Sequence, residues 1–165
     1  MPESSQQKDT LRVAVGVLAN ARSEVLISQR LPGSQLAGAW EFPGGKLATG
    51  ETPLKALQRE LREELGIGVR YVRYLARLEH HYGDQRVCLY CWKVLAWRGL
   101  VTAAENQPLQ WVVPGALMEH GLLAADQPLV ERLLDDMAGV NVRGWQTTVA
   151  ALGMTGDGQK LKTKN

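Results

Sequence analysis

The stretch from Thr52 to Gly66 has few conformations open to it. Thr52 is a helix-capping residue followed by proline, which suits the first helical turn, and Gly66 stands just past Leu65 where a helix needs a stop. These signals predict a helix over Pro53 to Leu65. Leu54, Leu57, Leu61 and Leu65 fall on one stripe that should pack on a sheet. Glu60, Glu63 and Glu64, at i, i+3 and i+4, share a neighbouring face, which should lie at the edge of the core beside a cleft. Three like charges with only Arg59 and Arg62 to offset them destabilise a helix unless a divalent cation binds there. Donors that are all oxygen favour Mg2+ or Mn2+ over zinc. A solvated helix with i,i+4 ion pairs is the plain alternative. Against it stand Gly44-Gly45, whose backbone can approach a ligand closely, and Glu51 at the turn before the helix.

The rest of the chain supplies a sheet for this helix. Leu11 to Ala19 and Glu24 to Gln29 are apolar segments on either side of Asn20-Ala21-Arg22-Ser23 and predict a hairpin. Trp40-Glu41-Phe42 runs as a short extended piece into the Pro43-Gly44-Gly45 turn. Val69 to Tyr82 and Arg86 to Trp97, separated by Gly83-Asp84, predict a second hairpin and with it a mixed sheet. Trp111-Val112-Val113 reads as a further strand, and Pro128 to Met137, with Leu129, Val130, Leu133 and Leu134 at helical spacing, as a second helix. Asn141 to Leu152 keeps some apolar residues that could pack on the domain, whereas Gly153 to Asn165 is polar and basic and is expected to be disordered.

With 165 residues, 45% of them hydrophobic, the chain fits one domain rather than two. The expected division is a polar segment over 1–10, the domain over 11–137 and an extension over 138–165. The formal charge of +2 comes from mixed signs spread along the chain, which is no footprint for a nucleic-acid polymer. The apolar run from Val13 to Ala19 is too short to span a membrane and follows no signal-peptide pattern, so a cytoplasmic protein is expected. Cys88 and Cys91 lie three apart on a predicted strand and face opposite ways, which predicts buried thiols rather than a shared metal or disulfide. His80 and His81, adjacent on a strand, likewise read as packing residues, as do Trp92, Trp97 and Trp111.

Taken in order, Gly45, five residues, Glu51, seven residues, Arg59-Glu60-Leu61, one residue, Glu63-Glu64, one residue and Gly66-Ile67 resemble at every fixed position the signature of the Nudix hydrolases. The likeness runs from about Leu11 to Leu134 and is greatest to the MutT type, in Leu11 to Val17, in Trp40 to Lys46 and in Ala124-Ala125-Asp126-Gln127-Pro128. It implies an α+β chain: an α/β/α sandwich with a mixed sheet and a loop-helix-loop catalytic motif. It also implies Mg2+-dependent hydrolysis of a nucleoside triphosphate to monophosphate and pyrophosphate by attack at the β-phosphorus, as in enzymes that sanitise 8-oxo-dGTP. Binding modules of the same fold typically lose these carboxylates, and here all three are present.

Position by position, the resemblance implies that the Gly44 carbonyl, Glu60, Glu63 and Glu64 serve the metal, that Arg59 holds Glu60, and that Glu51 ties loop to helix, with Gly45 and Gly66 as structural positions. Glu105 would be a further carboxylate that binds metal or accepts a proton; a surface loop residue is the alternative. Base recognition would fall to Arg30, Gln35, Glu41, Phe42, Pro43, Gly44, Gln85 and Asp126. At two of these the chain departs from the MutT type, which has asparagine in place of Asp126 and arginine in place of Gln85. An ionised carboxylate only accepts hydrogen bonds, which suits the exocyclic amine of cytosine or adenine, unless burial keeps it protonated. A similar Ala-Asp-x-Pro segment occurs in bacterial CTP pyrophosphohydrolases of the family, which makes CTP the alternative substrate.

Overall fold

The computed structural model describes residues 9–139. The expectations for Asn141 to Leu152 and for Gly153 to Asn165 fall outside them. Strands β1 (Leu11–Leu18), β2 (Val25–Gln29), β3 (Trp40–Glu41) and β4 (Gly44–Lys46) precede helix α1 (Pro53–Leu65). Strands β5 (Gly68–Tyr82), β6 (Gln85–Arg98) and β7 (Leu109–Val112) and helix α2 (Gln127–Gly139) follow it. Two short 3-10 turns, Pro114–His120 and Ala124–Asp126, lead into α2.

One sheet has the order β4-β1-β6-β5 and the other β3-β2-β7. The larger sheet is mixed as expected: β1 runs parallel to β6 and antiparallel to β4, and β5 and β6 form the predicted hairpin around Gly83-Asp84. The hairpin expected between β1 and β2 does not form. A single bridge, Ala19 to Val25, joins them, because β4 and β6 already occupy both edges of β1 and leave none for β2. The Asn20 side chain folds the connection instead, accepting from the Arg22 and Glu24 N–H groups. The chain then crosses into the second sheet, where β2 pairs with β3 and β7.

The caps of α1 are those the sequence requires. Thr52 accepts the Lys55 N–H, and Gly66, at φ 69°, takes the left-handed conformation while its N–H reaches the Arg62 carbonyl. Leu57, Leu61 and Leu65 are fully buried against Ala14, Leu18, Trp92 and Val94, each burial being worth about 1.5–3 kcal/mol. Gly16 lets the helix come close, since a Cβ there would lie 3.1 Å from both Leu57 and Leu61. Leu54 departs from expectation: in the first turn, at the end of the helix, it stays 38% exposed, and Ala56 is buried instead. The buried arc therefore runs toward the acidic residues, and Glu64, only about 20° round from Leu57 after two turns, points into the core side of the helix.

On its other face the large sheet buries Val15, Val17, Leu89 and Cys91 against Leu129, Val130 and Leu133 of α2, while Leu134 is exposed. The smaller sheet contributes to both cores through Leu26 on one side and Val25 and Ile27 on the other. Cys88 and Cys91 are free buried thiols, and Cys88 accepts from Arg77. Trp92 and Trp97 are buried, and no helix of the described residues is long and apolar enough to cross a membrane.

Candidate active site

The site begins with backbone. From β3 the chain runs through Phe42 and Pro43 into β4, whose Gly44 and Gly45 pair with Val15 and Ala14 of β1. Gly44 has φ 149°, and a Cβ there would meet the Ala14 carbonyl oxygen at 2.0 Å. At Gly45 the added carbon would lie 2.2 Å from the Glu60 carboxyl carbon. Glycine at both places lets the strand lie directly against β1 on one side and the helix carboxylates on the other. The Pro43 carbonyl accepts the Gly16 N–H at 2.8 Å and fixes the bend.

Arg59 is the hub of the loop-helix junction. It donates through Nε and Nη2 to both oxygens of Glu51 at 2.9 Å each, through Nη1 to Glu60 at 2.7 Å and Glu63 at 3.3 Å, and through Nη2 to the Lys46 carbonyl at 3.0 Å. Glu51 also accepts the Ala48 N–H, so one carboxylate joins loop and helix. Hydrogen bonding to Arg59 holds the Glu51 carboxyl down at about 2 and raises the guanidinium in turn.

Glu64 is in the opposite state. It takes one N–H, from Gly44 at 3.1 Å, and burial pushes its carboxyl up to about 8, with the charges of Glu60, Glu41 and Glu105 acting in the same direction. The loop after β6 caps the same turn of α1. Thr102 N–H bonds to the Leu65 carbonyl, and the Ala104 N–H and Gln107 Nε2 both bond to that of Glu64. Glu105 sits exposed on this loop, its N–H bonded to Gln107 Oε1. No sequence pattern points to Gln107, since a glutamine between Asn106 and Pro108 carries no periodic signal.

Between the two sheets opens a cleft of about 770 Å3. Seven of the eight residues expected to meet the base line it: Arg30, Gln35, Glu41, Phe42, Gly44, Gln85 and Asp126. Gly45, Glu60 and Glu64 line the same cleft. Pro43, Arg59, Glu63 and Glu105 do not; Glu63 stays half exposed, paired with Arg59. Arg30 pairs with Glu41 at 2.9 Å and donates to the Gln35 carbonyl, which shapes the loop between β2 and β3. Burial raises the Glu41 carboxyl despite Arg30. Gln85 is turned to backbone, donating to the Asp9 and Arg86 carbonyls. Asp126, 4% exposed, accepts the Phe42 N–H at 3.0 Å, and burial pushes its carboxyl up to about 7.

Among the described residues no three carboxylate, histidine or cysteine side chains form a preassembled metal cage. The donors that face the cleft, Glu60 and Glu64, are nevertheless the right kind. They are hard oxygens beside glycine backbone that lines the cleft, and the half-buried Glu64 carboxyl has other acidic groups around it, an environment that a divalent cation would relieve.

The two-sheet α+β fold thus sets a loop-helix-loop, its glycine strand and arginine-braced acidic helix together, beside the cleft. The sequence matches the NUDIX domain family over residues 14–132, and the chain belongs to that family. It is 35% identical over 123 residues to the 8-oxo-dGTP diphosphatase of Escherichia coli K12, covering 74% of this chain and 95% of that enzyme. It is 36% identical over 120 residues to the CTP pyrophosphohydrolase of the same organism, covering 73% and 89%. The solution structure of the E. coli ORF135 protein superposes with a TM-score of 0.71 at 33% identity, covering 81% of this chain and 95% of that one. The chain is thus a Nudix hydrolase, an enzyme class that generally needs a divalent metal ion.

Proposed function

We propose that the chain hydrolyses a nucleoside triphosphate to the monophosphate and pyrophosphate with Mg2+ (or Mn2+), in the cytoplasmic nucleotide pool, and that 8-oxo-dGTP is its preferred substrate. The observation that carries the base preference is Asp126: a buried carboxyl on the cleft wall, held by the Phe42 N–H and raised to about 7. Near neutrality a protonated Asp126 offers one donor and one acceptor, the pattern an oxidised guanine presents at O6 and N7-H.

Glu60, Glu64 and the Gly44 carbonyl would hold the metal, and Glu63 and Glu105 would be further carboxylates for it or for the water it binds. Bound there, such an ion would supply charge neutralisation at the phosphates and a lowered pKa of water, the chemistry that in-line attack at the β-phosphorus requires. Arg59 fixes the rotamer of Glu60, and Glu51 fixes Arg59. Glu41 and Arg30 form the ion pair at the base end, with Gln35 and Gln85 on the neighbouring walls.

CTP is the second reading. An ionised Asp126 accepts only, which suits an exocyclic amine, and the 36% identity to the CTP enzyme is close to the 35% to the 8-oxo-dGTP enzyme. A panel of 8-oxo-dGTP, dGTP, dATP and CTP with Mg2+, followed for pyrophosphate and monophosphate, decides between them. Highest kcat/KM for 8-oxo-dGTP is expected; highest kcat/KM for CTP would replace the first reading with the second, and absence of pyrophosphate from every triphosphate would remove both.

A further inference from the structure

Tyr82 belongs to none of the motifs read from the sequence, yet it stands where the large sheet reaches the base end of the cleft. It is the last residue of β5 and lines the cleft together with Asp126. Its hydroxyl oxygen accepts the N–H of Ala125 at 3.0 Å, one residue before Asp126. The ring is held from behind by His80, two residues back on the same strand face, edge to face with centroids 4.5 Å apart.

The turn from Ala124 to Asp126 is gripped from two sides. From β3 and the residue after it come the bonds of Leu123 N–H to the Trp40 carbonyl and of the Phe42 N–H to Asp126. From the large sheet, among the described residues, the hydrogen bond is that of Tyr82. Ala125 is itself buried, so leaving its N–H unpaired is costly, and removing the acceptor should make the turn shift to find water. A phenylalanine would fill the same space. What the hydroxyl adds is a fixed point for the turn.

We propose that Tyr82 is a positioning residue for base discrimination: by holding the Ala125 amide it fixes the turn that carries Asp126, and so sets how sharply the cleft separates one nucleobase from another. The inference rests on the reading of Asp126 as the group that meets the base. Burial keeps the Tyr82 hydroxyl above its ordinary range, so it remains a neutral hydroxyl at working pH.

The test compares wild type, Tyr82→Phe and Asp126→Asn in kcat and KM for 8-oxo-dGTP, dGTP and CTP, with amide hydrogen exchange at Ala125 measured alongside. Tyr82→Phe should raise KM for the preferred nucleotide by about five- to twentyfold, more than it lowers kcat, narrow the kcat/KM ratios among the three, and speed exchange at Ala125. Ratios that move in Asp126→Asn but not in Tyr82→Phe overturn the Tyr82 assignment and leave the Asp126 reading standing. Ratios that move in Tyr82→Phe alone make Tyr82 a direct reader of the base and overturn the positioning role. If neither variant moves them, both readings fall. Unchanged exchange at Ala125 in Tyr82→Phe overturns the proposal whatever the kinetics.

Discussion

Replacing Asp126 with asparagine should stabilise the metal-free protein at alkaline pH by an amount that disappears in acid. Burial pushes the Asp126 carboxyl up to about 7; Glu41 acts in the same direction, while the Phe42 N–H and Arg30 oppose. In the unfolded chain an aspartate titrates near about 3.9. Between these values the folded protein keeps a proton that the unfolded chain has released. The stability linked to that proton is fully present below about pH 4, drains as pH rises to about 7, and is gone above it. Three pH units at about 1.36 kcal/mol each give about 4 kcal/mol, an upper figure because buried sites relax and admit water on ionisation. An asparagine keeps an oxygen for the Phe42 N–H and carries no charge, so the variant escapes the loss. Urea unfolding of both proteins with chelator, at about pH 4.5 and about pH 8.5, reads the difference. The stability of Asp126→Asn relative to wild type should rise by about 1–4 kcal/mol between the two. A relative stability that is the same at both pH values would refute the buried ionisable carboxyl, and with it the argument that this side chain changes its hydrogen-bonding character near neutrality.

Glu64→Gln should lower kcat by more than about a hundredfold with Mg2+ present, and chelation should abolish wild-type turnover. Near-normal turnover of the folded variant would remove Glu64 from the site. Gly45→Ala places a methyl group 2.2 Å from the Glu60 carboxyl carbon and should cost more than about tenfold in kcat with a melting temperature within a few degrees of wild type, since the backbone at Gly45 is open to any residue. Undiminished kcat in that variant would show that the position of Glu60 does not matter.

What the sequence disclosed was local chemistry. Thr52, Pro53 and Gly66 bound α1 because capping is decided within a few residues, and Gly83-Asp84 marks the β5–β6 hairpin for the same reason. The partner of β2 was hidden, because strand pairing depends on which edges remain open once β4 and β6 have taken β1. Leu54 shows the same limit at one residue: the 3.6-residue period gives its angle but not whether the sheet extends beneath the first turn. Tyr82 and Gln107 were invisible because each acts on a carbonyl or amide more than forty residues away, and no spacing rule reaches that far. The cleft-lining set, by contrast, could be named from a family likeness, while its chemistry at Asp126 needed the burial that only the fold supplies.

The stretch Glu41 to Gly45 explains why the two ends of the cleft stand in fixed relation. The Phe42 N–H bonds to Asp126 and the Gly44 N–H bonds to Glu64, so a buried and a half-buried carboxylate from separate elements hang from one short run of backbone. The two N–H groups stand two residues apart across the bend at Pro43, which keeps the hydrogen bond to Asp126 and the hydrogen bond to Glu64 close together along the chain. Pro43 lies between them. It has no N–H to lose, and its carbonyl is anchored to Gly16 of β1, so proline stiffens the run without leaving a donor unpaired. Glu41 opens the run with an ion pair to Arg30, and Gly45 closes it against Glu60. A displacement of this segment disturbs the hydrogen bonds of Asp126 and Glu64 together. Under the proposed function, base recognition and phosphate chemistry would share one support, and a base that seats poorly against Asp126 would disturb the backbone that also holds Glu64.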